Sequence, residues 1–322
     1  PPISISAVAG SVQVKSLTSS RPISVLSGAT VQASSTIVLN RSMTLAGGTI
    51  EGGTVSVAGG AKLVATNAGG TLKDVTLRGD AAQSEPTVLE LSGGYGVNVG
   101  VSGDLTLDNA TIALQNYGQL YFSSVAATLG GNGTVLFGDN NSYNSVREVA
   151  SGGELTIGSG VTVKGAGGTI GYNAGWGGPA NVAVRNLGTI GPDRAGTIVL
   201  SGASFANQGT LQASGGGTLN VQPTSWSNAA GAQITASAST LTLAGSYANS
   251  GTISASNSTV NLGGSLTLGQ LGTFDRSGGT VNLTGTLNNS GNTLALDAGS
   301  GSWNLAGGTI EGGTVSVAGG AK

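Results

Sequence analysis

Two sequence markers recur along this chain at a spacing of about 21 residues, and this periodicity constrains its fold more than any other feature. The first marker is an aromatic residue followed two positions later by asparagine, at Phe205/Asn207, Trp226/Asn228 and Tyr247/Asn249, with Val184/Asn186 one step earlier. The second is a pair of apolar residues separated by one position: Ile198/Leu200, Leu219/Val221, Leu241/Leu243, Val260/Leu262, Val281/Leu283 and Trp303/Leu305. Two independent markers with one spacing indicate that each repeat is one coil of a solenoid.

The residues between the markers have the pattern of short strands joined by glycine turns. The tripeptide Gly-Thr followed by Val, Ile or Leu occurs 14 times. Glycine tolerates the backbone of a tight turn, and Thr with a β-branched neighbour favours a strand. No apolar stretch keeps a helical period without an intervening glycine. We therefore predict an all-β fold, a single-stranded parallel β-helix (β-solenoid) of about 15 coils, about 70 Å long, with almost no helix.

The recurring polar and aromatic residues have a structural interpretation in such a coil. Asparagine at a fixed coil position can form a ladder of side-chain amides along the axis. We predict this role, or a simple turn, for Asn186, Asn207, Asn228 and Asn249. An aromatic stack in the core or at a corner is predicted for Phe205, Trp226 and Tyr247.

A much longer repeat is superimposed on the coil. Residues 45–62, LAGGTIEGGTVSVAGGAK, recur without a change at 305–322. Fixed-period self-similarity of this kind indicates internal duplication. We predict divergent lead-in coils over 1–44, one 260-residue solenoid unit over 45–304, and the start of the next copy over 305–322. A last coil without a cap would take a further coil, from the same chain or from another subunit.

Composition narrows the classes of function. The chain has no cysteine and no histidine, so nucleophilic dyads and triads that use them are excluded within it. Its 12 Lys and Arg are scattered, which argues against nucleic acid as a partner. No apolar run approaches the length of a membrane-spanning helix. We expect no enzyme activity, no cofactor and no metal site, and long-lived use outside the cell fits a chain with so few oxidisable residues.

The stretch GGTVNLTGTLNNSGNTLALDAGSGSWN, continued by LAGGTIEGGTVSVAGGAKL, resembles the repeats of giant tandem-repeat surface proteins of planctomycete-type bacteria. More distantly it resembles autotransporter passengers and filamentous-haemagglutinin-like exoproteins. The resemblance covers most of residues 45–322. It implies a secreted, right-handed β-helix, and it implies no catalytic residues.

These observations together predict a structural extracellular fibre of the bacterial cell surface. Its partners would be further copies of itself, joined head to tail covalently or not, and possible surface glycans. One alternative is an adhesin that binds a glycan or a protein through two predicted loops that bulge from the coil, 138–146 and 171–180. Tyr143, Tyr172 and Trp176 would be its contact residues. A second alternative, a polysaccharide-degrading enzyme, would require carboxylates clustered on one face.

Overall fold

The computed structural model describes residues 3–5 and 11–322, and it is an all-β solenoid of stacked parallel coils. Strands make up 60% of the residues and helix 2%, in about 14 turns of roughly 22 residues each. The predicted fold class is confirmed. The turns are slightly fewer and longer than predicted because several coils carry inserted residues at their corners.

Each coil has three sides, which we name the first, second and third faces in the order in which the chain meets them. The first face contains Ile3–Ile5, Ile23–Leu26, Met43–Ala46, Leu63–Ala65, Thr87–Leu91, Thr189–Ile190, Thr210–Ala213, Gln233–Ser237, Thr252–Ser256 and Thr273–Ser277, and then a separately paired couple, Thr293–Leu296 and Thr314–Val317. The second contains Ser11–Val14, Thr30–Ala33, Thr49–Glu51, Gln119–Phe122, Thr197–Ser201, Thr218–Val221, Thr240–Leu243, Thr259–Leu262, Thr280–Leu283 and Trp303–Leu305. The third contains Leu17–Ser19, Thr36–Leu39, Thr54–Val57, Glu154–Ile157, Ala183–Asn186, Ser204–Asn207, Ser225–Asn228, Ser246–Asn249, Ser265–Thr267, Thr286–Asn288 and Thr309–Glu311.

Four longer strands continue around corners and belong to more than one face: Thr71–Arg78, Asn98–Leu114, Ala126–Glu148 and Gly160–Gly171. They make the middle of the solenoid irregular. The prediction that 138–146 is a loop is wrong, since this segment lies inside Ala126–Glu148. The strand nevertheless bulges there, because its pairing with the next coil shifts between Asn140 and Ser145. The insertion is absorbed as extra residues in a continuous strand.

The core is a column of aliphatic side chains along the axis. Alternate residues of each strand point inward. On the second face, Leu219, Leu241, Val260 and Val281 occupy equivalent positions, and each is at most 1% exposed. Full burial of one such side chain contributes about 1.5–3 kcal/mol. No coil achieves this burial alone, so stability comes from the contacts between coils.

In the described part of the chain, helix is confined to two short segments. Ala174–Trp176 is a 3-10 turn inside the predicted loop 171–180. Leu268–Leu271 is a single α-helical turn after the third-face strand Ser265–Thr267, and Thr267 and Gln270 form a capping box at its start. Among the described residues, no helix is long and apolar enough to cross a membrane.

Glycines at the corners allow neighbouring coils to approach closely. Gly245, with φ +78°, lies between the second and third faces against the carbonyl oxygen of Pro223 on the preceding coil. Gly216 has nearly the same backbone, with φ +76°, but a Cβ atom there would meet open space. The two positions therefore separate the conformational requirement for glycine from the steric one.

We expect Gly216→Ala to lower the free energy of unfolding by about 1 kcal/mol, which is the cost of a left-handed alanine. Gly245→Ala should cost about 2 kcal/mol more, because the new methyl group displaces the Pro223 carbonyl of the preceding coil. Urea denaturation of both variants measures the difference. Equal losses would show that the corner relaxes around the methyl group.

Candidate functional site

Four buried asparagines form a hydrogen-bond ladder at the end of the third face. The Nδ2 groups of Asn186, Asn207 and Asn228 donate to the Oδ1 atoms of Asn207, Asn228 and Asn249 at 2.8, 2.7 and 2.8 Å. All four side chains are at most 6% exposed. The Oδ1 atom of Asn186 also accepts the backbone N–H of Gly188, two residues later, at 3.1 Å. Each amide therefore joins neighbouring coils and closes its own turn.

The ladder ends at the α-helical turn Leu268–Leu271. In that coil the chain presents no asparagine, and Nδ2 of Asn249 donates instead to the carbonyl oxygens of Leu271 and Thr273 at 2.8 and 3.1 Å. Asn289, two coils beyond Asn249, is buried and donates to the carbonyl oxygen of Thr314.

The predicted aromatic residues lie side by side in the core of the third face. Phe205 pairs with Trp226, and Trp226 with Tyr247, in strict register. The rings of Trp226 and Tyr247 are stacked, with centroids 4.6 Å apart and an interplanar angle of 16°. Nε1 of Trp226 donates to the carbonyl oxygen of Ala244 at 2.8 Å. The Tyr247 hydroxyl has no hydrogen-bond partner among the described residues, and burial raises its pKa.

A second aromatic group lies on the outer surface, and we call it the surface aromatic cluster: Tyr95, Tyr117, Tyr143 and Trp176. Tyr95 and Tyr117 have ring centroids 4.2 Å apart, and Tyr117 and Tyr143 are stacked at 5.0 Å. Trp176 meets Tyr117 and Tyr143 edge-on, at 6.3 and 5.9 Å. Tyr95 is 67% exposed at one end of this column.

The three tyrosines align because each lies close to the start of the second face in successive coils. Tyr117 has φ +69°, an unusual backbone for a bulky residue. The turn is held from the next coil, where Asp139 accepts the N–H of Asn116 at 3.2 Å and Asn144 accepts that of Gly118 at 3.1 Å. Backbone strain held in place by neighbouring groups is a common feature of binding sites.

The fourth member comes from the loop that follows Gly160–Gly171 and folds back over earlier coils. Nε1 of Trp176 donates to the carbonyl oxygen of Tyr143 at 2.7 Å. Beneath the loop, Arg147 is 6% exposed and donates to Oε1 of Gln119 at 3.0 Å and to the carbonyl oxygen of Gly177 at 2.7 Å. Burial lowers the pKa of this guanidinium. Arg147 therefore anchors the loop that carries Trp176.

A cleft of about 310 Å³ opens beside the cluster. Its wall contains Tyr143 and Tyr172, together with the polar side chains of Ser142, Asn173 and Gln222. The structure thus brings two of the predicted contact residues, Tyr143 and Trp176, into contact, and it places Tyr172 at the cleft.

Tyr95 and Tyr117 were missed by the sequence analysis, although a signal for them exists. Both occur in a Tyr-Gly dipeptide, and the two dipeptides are 22 residues apart, which is one coil. The signal is weak because it occurs only twice, in the half of the chain where turn lengths vary.

Acidic side chains among the described residues are dispersed and largely occupied. Six carboxylates form ion pairs with Lys or Arg: Lys62–Glu90, Lys73–Glu51, Arg78–Asp108, Lys164–Glu85, Arg185–Glu154 and Arg194–Asp193. Such exposed pairs contribute less than about 1 kcal/mol each. Within residues 11–322, no three acidic side chains converge in the manner of a metal site.

Glu148 is the exception, because it is 1% exposed and forms no ion pair with any residue that the structure describes. Oε1 accepts the N–H of Ala150 at 2.7 Å, whereas Oε2 is buried without a partner. Burial raises the pKa of this carboxyl above its usual value. A raised pKa favours the neutral acid in the folded state, so the group costs stability as pH rises above about 4.3.

We expect Glu148→Gln to raise the free energy of unfolding by about 1 kcal/mol at pH 7, because a neutral amide keeps the acceptor and removes the buried charge. The gain should vanish near pH 3, which lies well below the unfolded pKa of about 4.3, because the acid is then protonated in both states. Denaturant titrations of the two proteins at both pH values measure this. A gain that is independent of pH would contradict the assignment to charge.

No protein-family model, curated protein or solved structure matches this chain.

Proposed function

We propose that this chain is a structural segment of an extracellular bacterial fibre, built by stacking β-solenoid repeats end to end. The observation that carries the proposal concerns residues 305–322, which repeat 45–62. They contribute strands Thr309–Glu311 and Thr314–Val317, which pair in parallel with the coil before them. The beginning of a repeat therefore continues the solenoid that precedes it, with the same inward positions.

Stacked coils suit a load-bearing role. Parallel hydrogen bonds and an aliphatic core run from coil to coil, so each added unit extends the same interactions. Within the unit, the asparagine ladder joins four successive coils. The extracellular location is supported by a composition without cysteine or histidine and by the resemblance to giant bacterial surface proteins. No catalytic role is part of this proposal.

A three-unit array tests the stacking. It consists of residues 1–304, two further copies of 45–304, and then 305–322. Electron microscopy and small-angle scattering should show straight rods. Each added unit should lengthen the rod by about 55 Å relative to the 322-residue chain. Particles that fold back or remain near 70 Å long would contradict the proposal.

The location has its own test. Antibodies raised against the recombinant chain should label intact cells of the source bacterium, and brief protease treatment of those cells should remove the signal. Permeabilised cells serve as the control. Labelling that appears only after permeabilisation would contradict an extracellular fibre.

A second function, glycan binding, is favoured by the surface aromatic cluster. Exposed aromatic rings beside amide and hydroxyl groups match the apolar faces and hydroxyl edges of sugars. The cleft beside Tyr143 supplies both kinds of group, and it lacks a carboxylate or ammonium in its wall. We propose that the fibre adheres to neutral polysaccharide through this cluster.

Affinity electrophoresis against a panel of neutral and acidic polysaccharides tests the adhesion. Tyr95→Ala and Trp176→Ala should each lower the apparent affinity for the polysaccharide, calculated from the retardation, at least tenfold. Each substitution removes a ring on which a sugar can stack. Val125→Ala is the matched control, since Val125 is 65% exposed but lies outside the cluster. Unchanged retardation in both aromatic variants, or no retardation of the parent chain, would refute this function.

A further inference from the structure

The two copies of the eighteen-residue repeat lie on different faces of the solenoid. In the first copy, Thr49–Glu51 belongs to the second face and pairs with Thr30–Ala33 and Thr71–Arg78. In the second copy, the same residues are Thr309–Glu311, which belong to the third face and pair with Thr286–Asn288. The second face at that level is formed by Trp303–Leu305. The copy has therefore moved by one face.

The displacement preserves every inward side chain. Ile50 points into the core, and its counterpart Ile310 pairs with the fully buried Leu287. Val315 likewise pairs with the buried Leu294. A slip of one residue would turn the apolar set outward, whereas a slip of a whole face does not. The repeat tolerates it because its strands are short and its corners are all Gly-Gly pairs.

The ladder of the second face can be followed without a break from Thr49–Glu51 to Trp303–Leu305, eleven coils later. Thr309–Glu311, the counterpart of Thr49–Glu51, follows Trp303–Leu305 and lies on the third face. One 260-residue unit thus comprises eleven coils and one additional face.

We propose that successive units in the fibre are rotated by one face, about a third of a turn, relative to one another. This inference rests on the proposed end-to-end stacking. Each unit stacks on the next unit with this rotation. Features therefore return to the same side after three units, about 165 Å along the axis. The surface aromatic clusters then face three directions in turn, so the fibre can engage glycan on any side.

Disulfide cross-linking in the 322-residue chain, without added units, tests whether Thr309–Glu311 lies on the third face. The described residues contain no cysteine, and neither does the rest of the sequence, so introduced pairs are unambiguous. Thr286→Cys with Thr309→Cys should form a disulfide, because these residues are in register on adjacent coils. Thr280→Cys with Thr309→Cys should not form one, and Thr259→Cys with Thr280→Cys is the positive control on the second face. Oxidation of the 280/309 pair in place of the 286/309 pair would overturn the inference.

The three-unit array tests the rotation of successive units by one face. A short epitope is inserted in the exposed segment 81–84 of each unit and decorated with an antibody fragment. Electron microscopy should show fragments about 55 Å apart that point in three directions. Deleting residues 298–306 at each junction is the matched control, since Leu294–Leu296 and Asp297 then take the places of Met43–Ala46 before the glycine corner. In that variant the fragments should lie on one side.

The outcomes separate the two proposals. Straight rods whose fragments lie on one side without the deletion would overturn the rotation and leave stacking intact. Failure to form extended rods would contradict the stacking itself, and the cross-links in the unextended chain would still decide the face.

Discussion

Asn207→Asp is expected to destabilise the solenoid by about 3 kcal/mol or more at pH 7, although it replaces a single heavy atom, the amide nitrogen, by oxygen. The wild-type amide both accepts from Asn186 and donates to Asn228 in a buried ladder. A carboxylate keeps the first bond, loses the second, and places a charge against the Oδ1 atom of Asn228. Over residues 11–322, the hydrogen-bond partners of the ladder are amide and backbone groups, so no cationic side chain offsets that charge.

The loss should depend on pH in a defined direction. Burial raises the pKa of a carboxyl group, so the folded variant favours the protonated form. The destabilisation should therefore be smallest near pH 3 and increase as pH rises above about 3.9, the pKa in the unfolded chain. Urea denaturation from pH 3 to pH 7, with the wild type measured in parallel, follows this dependence.

Asn261→Asp is the matched control, because Asn261 belongs to an outward amide row on the second face. Asn282 donates to Asn261 at 2.8 Å, and Asn261 donates to Thr242 at 3.1 Å, in contact with solvent. We expect a cost below about 1 kcal/mol. Equal losses at Asn207 and Asn261 would mean that the inner ladder contributes no more than a surface row.

Trp226→Ala is expected to cost about 3–5 kcal/mol, because it opens a cavity between two aromatic neighbours and leaves the carbonyl oxygen of Ala244 without its donor. Since solenoids are stabilised by neighbouring coils, the effect should be local. Hydrogen exchange should accelerate most in Ser204–Asn207 and Ser246–Asn249, the strands on either side of the substitution.

Tyr247→Phe provides the control within the same stack. The Tyr247 hydroxyl is buried without a partner, so its removal keeps the ring packing and deletes an unsatisfied polar group. We expect unchanged or slightly higher stability. If Tyr247→Phe destabilised the chain as strongly as Trp226→Ala, the hydroxyl would have a partner that the geometry does not account for.

The regular half of the chain could be predicted in detail because its turns are uniform. Phe205, Trp226 and Tyr247 follow one another at a constant interval, and they lie on one face as that interval requires. The irregular half could not. The bulge near Asn140 and the back-folded loop around Trp176 change the spacing, so sequence distance no longer indicates which side chains meet.

The sequence by itself determined the coil, the alternation of inward and outward residues and the fully buried apolar positions, because these depend on local spacing and on burial of apolar side chains. Only the tertiary structure decided which face each strand occupies, because that depends on the accumulated lengths of all intervening turns. For the same reason the surface aromatic cluster and the one-face shift of the eighteen-residue repeat emerged only when the coils were stacked.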